Sequence, residues 1–413
     1  IVNNLTNYQY VFLVGGRGSR LKELTKNIPK PLLLIDKKPF IFYQIQYLYK
    51  MGIRNFLFLA GYKHESFNIY IKEFREYFPN AKFNISIEDE PLGTAGAIKN
   101  SKDYLEDKFI VSNGDTFCNF SLIKFLDLEI NKILLLDYED DVSRFGKVKI
   151  DTNTKKIISF HEKNDQIKSN LINSGIYFLQ KDFILKYIPE GKYCSLETEV
   201  FPKLCEEKHI RYQIQKTKFI DIGIPEDLER FKRNLKEFIK TRGIILDRDG
   251  VINVDKGYTY KIEDLKFIDG IFELMNYFKS NEYPLFIATN QSGIARGLYS
   301  EKDFLNFMNE IKRVLRERGI DILDIEYCPY HPEAILKKYR SNSELRKPRP
   351  GMLNNLIDKW NLDKNQTIYI GDKKIDSEAA NNAGISSFIF NKKNIFESFL
   401  NEKLPTGSSS VDN

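Results

Sequence analysis

Phe219-Ile-Asp-Ile-Gly-Ile-Pro-Glu-Asp-Leu228 leads into Lys240-Thr-Arg-Gly-Ile-Ile-Leu-Asp-Arg-Asp-Gly250, and this stretch divides the chain. Asp221 lies in an apolar-Asp-apolar-Gly-apolar-Pro context that closes one prospective site. Asp247 and Asp249 follow the apolar run Gly243-Ile-Ile-Leu246 and open a second. Between them, residues 226–240 are charged and amphipathic, with Leu228, Phe231, Leu235 and Phe238 at helical spacing, which predicts a connecting helix. The reading is therefore two α/β domains, residues 1–240 and 241–400, and a flexible tail at 401–413.

The bulk numbers fit. A chain of 413 residues is long for one core, and 42% hydrophobic residues suffice for two. The net charge of +6 on a chain dense in both signs suits small anionic substrates and argues against nucleic acid. No apolar run approaches the roughly 18 residues of a membrane span, and 1–10 carries no signal-peptide pattern. Cys118, Cys194, Cys205 and Cys328 show no C-x-x-C spacing and read as free thiols of a reducing cytoplasm.

In the first half, the strand-like Tyr10-Val-Phe-Leu-Val14 feeds Gly15-Gly-Arg-Gly-Ser-Arg-Leu21, and Pro29-Lys-Pro-Leu-Leu33 follows. A glycine-rich turn after a buried strand lets backbone N–H groups approach phosphates, and Arg20 and Lys30 add positive charge. The pattern is neither the dinucleotide fingerprint nor the P-loop. It resembles the signature of the sugar-1-phosphate nucleotidyltransferases, with Val14 where an alanine is usual. Further segments match in order: Glu88-Asp-Glu-Pro-Leu-Gly-Thr-Ala-Gly-Ala97, Phe109-Ile-Val-Ser-Asn-Gly-Asp-Thr116, Phe160-His-Glu-Lys163, Asn173-Ser-Gly-Ile-Tyr177 and Leu196-Glu-Thr-Glu199. The resemblance implies a mixed central sheet, nucleotide binding by Gly15, Gly16, Gly18, Gly93 and Thr94, and catalysis by Arg20 and Lys30. It also implies sugar-phosphate contacts from Lys163, Asn173 and Glu197, and Mg²⁺ on Asp115 and Asp221. Such a reaction needs charge neutralisation and in-line positioning rather than a protein nucleophile.

In the second half, Asp247-Arg-Asp-Gly-Val-Ile252 after a strand resembles the opening motif of the haloacid-dehalogenase-like phosphatases. Tyr283-Pro-Leu-Phe-Ile-Ala-Thr-Asn290, Leu345-Arg-Lys-Pro-Arg-Pro-Gly-Met352 and Thr367-Ile-Tyr-Ile-Gly-Asp-Lys-Lys-Ile-Asp376 continue that series. Strands alternating with helical stretches such as 301–318 predict a parallel sheet, here with a minimal cap. By resemblance, Asp247 is the nucleophile and Asp249 the acid and base. Thr289, Asn290, Arg346 and Lys347 hold substrate, while Asp247, Asp372 and the Asp249 carbonyl hold Mg²⁺. Thr289-Asn-Gln-Ser-Gly-Ile-Ala-Arg-Gly297 and Tyr327-Cys-Pro-Tyr-His-Pro332 narrow the match to heptose-1,7-bisphosphate and histidinol-phosphate phosphatases. Many of these carry structural zinc, but Tyr330, Ser343 and Leu345 replace three ligand positions, so Cys328 and His331 read as loop residues and no zinc is expected.

Together the halves resemble a heptose-1-phosphate guanylyltransferase fused to a heptose-bisphosphate phosphatase, with GTP or another nucleoside triphosphate and heptose phosphates as ligands. The base and sugar stay open at this point: UTP or dTTP, a mannose-type phosphate, histidinol phosphate, a non-catalytic half and a homo-oligomer are each compatible with the residues.

Overall fold

The computed structural model describes residues 5–16, 21, 24–127, 129–138, 145–161, 170–391 and 393–403. The chain divides into two compact units, Ile1–Ile239 and Lys240–Asn413.

The strands of the first unit are β1 (Gln9–Leu13), β2 (Leu34–Ile35), β3 (Lys38–Pro39), β4 (Asn55–Ala60), β5 (Lys82–Ile87), β6 (Lys108–Asn113), β7 (Thr116–Cys118), β8 (Lys132–Asp137), β9 (Lys147–Asp151), β10 (Lys156–His161), β11 (Leu171–Gln180), β12 (Arg211–Gln215) and β13 (Phe219–Asp221). Nine form a mixed sheet in the order β5-β4-β1-β6-β11-β8-β12-β10-β9. β1 pairs in parallel with both β4 and β6, and β11 is antiparallel to β6. The apolar run of β1 follows from this central place, because a parallel strand is covered on both faces. Phe12 stacks on Phe56 and Phe58 of the neighbouring strand on one face, and Val11 joins Leu57, Val111 and Tyr177 on the other. The strand motif at 109–116 ends at Asn113; Gly114 and Asp115 form a turn into β7.

The expected helix at 226–240 is two helices, Pro225–Arg233 and Leu235–Ile239, and it belongs to the first unit. Asn234 makes the break: its side chain donates to the Arg230 carbonyl, in competition with the helical ladder. The apolar face is core. Phe231 packs against Phe40, Phe117 and Phe238 at 4.9, 5.6 and 5.3 Å between ring centroids.

The second unit has β14 (Thr241–Leu246), β15 (Leu285–Asn290), β16 (Ile322–Cys328), β17 (Leu362–Gly371) and β18 (Ser386–Ile389), all parallel, in the order β16-β15-β14-β17-β18. Helices Ile271–Ser280 and Glu301–Glu317 bury Leu274, Met275, Phe304 and Ile311 in its core. Ser300 and Asp303 close a capping box that starts the longer helix. Among the described residues no separate cap is inserted between strands; the long irregular connections are 247–270 and 329–350, each with one 3-10 turn, at Ile262–Asp264 and Lys337–Tyr339. The tail expected at 401–413 begins as helix, since Ile395–Lys403 covers its first three residues; 404–413 lies outside the described residues. The four cysteines are buried and unbridged. No helix of the described residues is long and apolar enough to cross a membrane.

Candidate active sites

Ligands of open α/β sheets sit beyond the carboxyl ends of strands, where the order switches. In the first unit that place is the C-terminal edge of β1, β4 and β6. A cleft of about 380 Å³ opens there, lined by Gly15, Gly16, Lys30, Gly93, Thr94 and Asp115, with Glu88, Asn113 and Tyr193. Gly15 lets Glu88 approach the loop, since a Cβ there would lie 2.6 Å from Glu88 Oε1 and 3.3 Å from the Gly61 backbone nitrogen. Gly93 has φ of +74°, and a Cβ would meet the Cys194 carbonyl at 2.5 Å. That carbonyl accepts the N–H groups of Ala95 and Gly96, which seats helix Gly93–Asn100 against the cleft.

Lys30 Nζ lies 2.7 Å from Asp115 Oδ2. Asp221 comes beside Asp115 through strand pairing: β13 pairs β7 antiparallel, Asp221 faces Thr116, and the Ile222 N–H donates to the Asp115 carbonyl at 3.0 Å. A run of hydrogen bonds links the sugar segments to the nucleotide loop. Asn173 Nδ2 donates to the Tyr177 hydroxyl at 2.9 Å, and that hydroxyl donates to Glu197 Oε1 at 3.1 Å. Glu197 Oε2 accepts from Thr94 Oγ1 at 2.7 Å and Ser195 Oγ at 3.1 Å. Thr94 thus joins the two segments as well as lining the cleft. Arg20, Gly18 and Lys163 lie outside the described residues. Glu88 was quoted only as part of a motif; burial raises its carboxyl above the ordinary value, partly offset by the Leu92 N–H.

In the second unit the ends of β14, β15 and β17 bring Asp247, Asp249, Thr289 and Asp372 to one edge. Lys347 Nζ lies 2.8 Å from Asp247 Oδ2, 2.7 Å from Asp376 Oδ1 and 2.7 Å from the Tyr369 hydroxyl. Burial works against its ammonium, but Asp247 and Asp376 outweigh it and hold Lys347 above the ordinary lysine value. Asn290 clamps the backbone of Lys347: its Nδ2 donates to the Lys347 carbonyl and its Oδ1 accepts the Lys347 N–H. Asp249 receives Arg248 Nη2 on both oxygens at 2.7 Å and Asn253 Nδ2 at 3.0 Å. Arg248 is itself fully buried, its guanidinium over the Phe307 ring.

Asp247, Asp372 and Asp376 form a carboxylate cluster with oxygens within 4.8 Å of one another. Asp376 Oδ2 already accepts the N–H groups of Asp372 and Lys373. Asp372 Oδ1 is buried without a hydrogen-bond partner among the described residues. Burial and the neighbouring carboxylates push Asp372 up to about 6, against the pull of Lys373. Gly250, at φ of +84°, leaves the space the carboxylate fills; a Cβ there would lie 2.2 Å from Asp372 Oδ2. Three carboxylates against one ammonium, with an unpartnered oxygen, suit a hard divalent cation held by Asp247 and Asp372.

Arg296, Arg346 and His331 gather near one another in the same unit, Arg346 next in sequence to Lys347. Arg296 Nε and Arg346 Nη1 are buried without hydrogen-bond partners, and no carboxylate pairs with either arginine among the described residues. Burial lowers Arg346, and the Arg296 charge adds to the effect. Burial and the same two arginines lower His331. His331 Nδ1 accepts the Glu333 N–H at 3.1 Å, and Cys328 is buried with Sγ 3.8 Å from the Tyr330 carbonyl.

The nucleotidyl transferase family matches residues 9–237, and the haloacid dehalogenase-like hydrolases match 336–390. D-glycero-alpha-D-manno-heptose 1-phosphate guanylyltransferase of Campylobacter jejuni is 40% identical over 227 residues, covering 55% of this chain and 99% of that protein. D-glycero-alpha-D-manno-heptose-1,7-bisphosphate 7-phosphatase of the same organism is 46% identical over 151 residues, 37% of this chain and 83% of its own length. D-glycero-beta-D-manno-heptose-1,7-bisphosphate 7-phosphatase of Photorhabdus laumondii is 43% identical over 144 residues, 35% of this chain and 77% of its own length. The chain therefore belongs to the nucleotidyl transferase family through its first unit and, through its second, to the haloacid dehalogenase-like hydrolases.

Proposed function

We propose that the chain performs two consecutive reactions on a heptose phosphate. The second unit hydrolyses the 7-phosphate of a D-glycero-D-manno-heptose 1,7-bisphosphate. The first unit transfers GMP from GTP to the resulting heptose 1-phosphate and releases pyrophosphate. The relatives of each unit support the pairing, since the product of one named reaction is the substrate of the other.

The observation that carries the bisphosphate reading is the neighbouring pair Arg296 and Arg346, each with a buried nitrogen that has no hydrogen-bond partner among the described residues, Arg346 directly preceding Lys347. A buried guanidinium nitrogen left without an acceptor favours an anionic partner. With the 7-phosphate at Asp247, the pair offers charge and N–H donors to the 1-phosphate.

In hydrolysis, an Asp247 oxygen bonds to phosphorus as the bond from phosphorus to the sugar oxygen breaks. Asp249 gives its proton to that oxygen. It then takes a proton from the water that attacks phosphorus, and the bond to Asp247 breaks to free inorganic phosphate. Lys347, with Thr289, faces the phosphoryl oxygens. In nucleotidyl transfer, a phosphate oxygen of the sugar phosphate attacks the α-phosphorus of GTP, and the bond to the β-phosphate breaks. Lys30 and the backbone at Gly15 and Gly16 meet the triphosphate, with Arg20 in the same role. Asn173 and Glu197 meet the sugar, and Lys163 its phosphate. Mg²⁺ at Asp247 and Asp372, and at Asp115 and Asp221, would neutralise phosphoryl charge when bound; zinc has no part in this reading.

The half-buried Glu88 carboxylate supports guanine. Its acceptors suit the N1–H and 2-amino donors of that base. The test is Asp247→Asn in the full chain. Phosphate release from heptose 1,7-bisphosphate should stop, while GDP-heptose formation from added heptose 1-phosphate and GTP continues. Retained phosphate release would remove the phosphatase assignment. Relatives named for both anomers match the second unit, so both anomers are offered.

A further inference from the structure

Gln291 has no part in the chemistry above, yet it is buried to 1% exposure beside it. Its Nε2 donates to Asp249 Oδ2 at 3.1 Å and to Thr289 Oγ1 at 3.0 Å. Its Oε1 accepts the Tyr299 hydroxyl at 2.6 Å. Tyr299 is buried too, stacked on Tyr260 with ring centroids 4.8 Å apart and planes 19° from parallel. Gly293 admits that ring, since a Cβ there would lie 2.2 Å from Tyr299 Cε1. Burial holds the phenol far above its ordinary pKa, so it stays a donor.

A carboxamide has two unlike ends. With an obligatory donor on its oxygen, Gln291 presents its NH₂ group toward Asp249 and Thr289. Asp249 is then gripped from separate sides: Arg248 on both oxygens, Asn253 on Oδ1 and Gln291 on Oδ2. The Thr289 oxygen accepts from Gln291, which leaves the Thr289 proton to donate to a phosphoryl oxygen.

We propose that Gln291, locked by Tyr299, is a positioning residue. It fixes the rotamer of Asp249 for proton transfer to the leaving oxygen. This rests on the phosphatase reading. When the bond from phosphorus to the sugar oxygen breaks, the leaving oxygen needs the Asp249 proton along a short, aligned path. A carboxyl free to rotate supplies it less often.

The experiment compares the full wild-type chain with Gln291→Met, Tyr299→Phe and the double variant, on heptose 1,7-bisphosphate and on p-nitrophenyl phosphate. The p-nitrophenolate leaves without a proton, so its kcat/KM does not depend on an aligned acid. Gln291→Met should lower kcat/KM on the bisphosphate on the order of 10- to 100-fold, mostly through kcat, and on p-nitrophenyl phosphate much less. Tyr299→Phe should give a smaller loss of the same selectivity. The double variant should fall no further than Gln291→Met, because both act through one amide. Equal losses on the two substrates, or single losses that multiply in the double variant, would overturn the proposal. If Gln291→Met fails to fold by Trp360 fluorescence, the substrate selectivity of Tyr299→Phe decides. A wild-type chain inactive on both substrates would instead overturn the phosphatase reading itself.

Discussion

Lys347 Nζ and Asp247 Oδ2 lie 2.8 Å apart with side chains 1% and 10% exposed. In the proposed phosphatase reaction this buried pair would join the group that holds phosphate to the group that attacks it. Breaking a buried ion pair from one side costs about 3–5 kcal/mol, because the remaining charge is left unpaired. Lys347→Met should therefore abolish phosphate release and destabilise the second unit by that order. Trp360, the one tryptophan of the chain, lies in this unit and reports its urea unfolding. Adding Asp376→Asn should recover part of the stability and none of the activity.

Arg296→Ala and Arg346→Ala should raise KM for heptose 1,7-bisphosphate on the order of 10-fold or more, the usual scale for a lost charged hydrogen bond. KM for a phosphomonoester without a second anion should move little. Equal effects on both substrates in steady-state assays would remove the arginines from recognition of the distal phosphate.

Glu88→Gln replaces one acceptor of the carboxylate by a donor. The kcat/KM for GTP should fall on the order of 10- to 100-fold relative to UTP, by the same scale. A panel of four nucleoside triphosphates reads this directly. An unchanged preference would mean that the base is read elsewhere in the cleft.

Lys50, on helix Phe40–Met51, is pulled down to about 7 by burial. Its folded pKa lies below its unfolded value of about 10.4, so between these the unfolded chain binds more protons. The stability of the first unit should therefore rise with pH from about 7 to about 10. Lys50→Met should flatten that rise and stabilise the unit at pH 6. Hydrogen exchange of the 40–51 segment against pH follows both.

The two-unit α/β plan was legible because local signals carried it. Apolar strands ended in Asp247, Thr289 and Asp372, and parallel strands bring their polar ends to one edge. The cleft residues Gly15, Lys30, Gly93 and Asp115 were legible for the same reason. What escaped depends on partners far along the chain. Asp376 looked like the end of a strand motif, but it sits on helix Lys374–Ala383 and grips Lys347, 29 positions away. Arg248 was quoted only inside the Asp247-Arg-Asp-Gly motif and is a buried clamp on Asp249. Gln291 follows Thr289-Asn290 directly, and nothing local announces that Tyr299 turns its amide. The break at Asn234 was hidden because hydrophobic spacing runs through it unchanged.

The most direct measurement is phosphorus NMR on the purified full chain with Mg²⁺, α-configured heptose 1,7-bisphosphate, GTP and inorganic pyrophosphatase. The 7-phosphate resonance should disappear and the paired doublets of a nucleoside diphosphate sugar should grow in after it. Loss of the 7-phosphate with no diphosphate sugar would contradict the nucleotidyl assignment of the first unit. A diphosphate sugar that still carries the 7-phosphate would contradict the order of the two reactions.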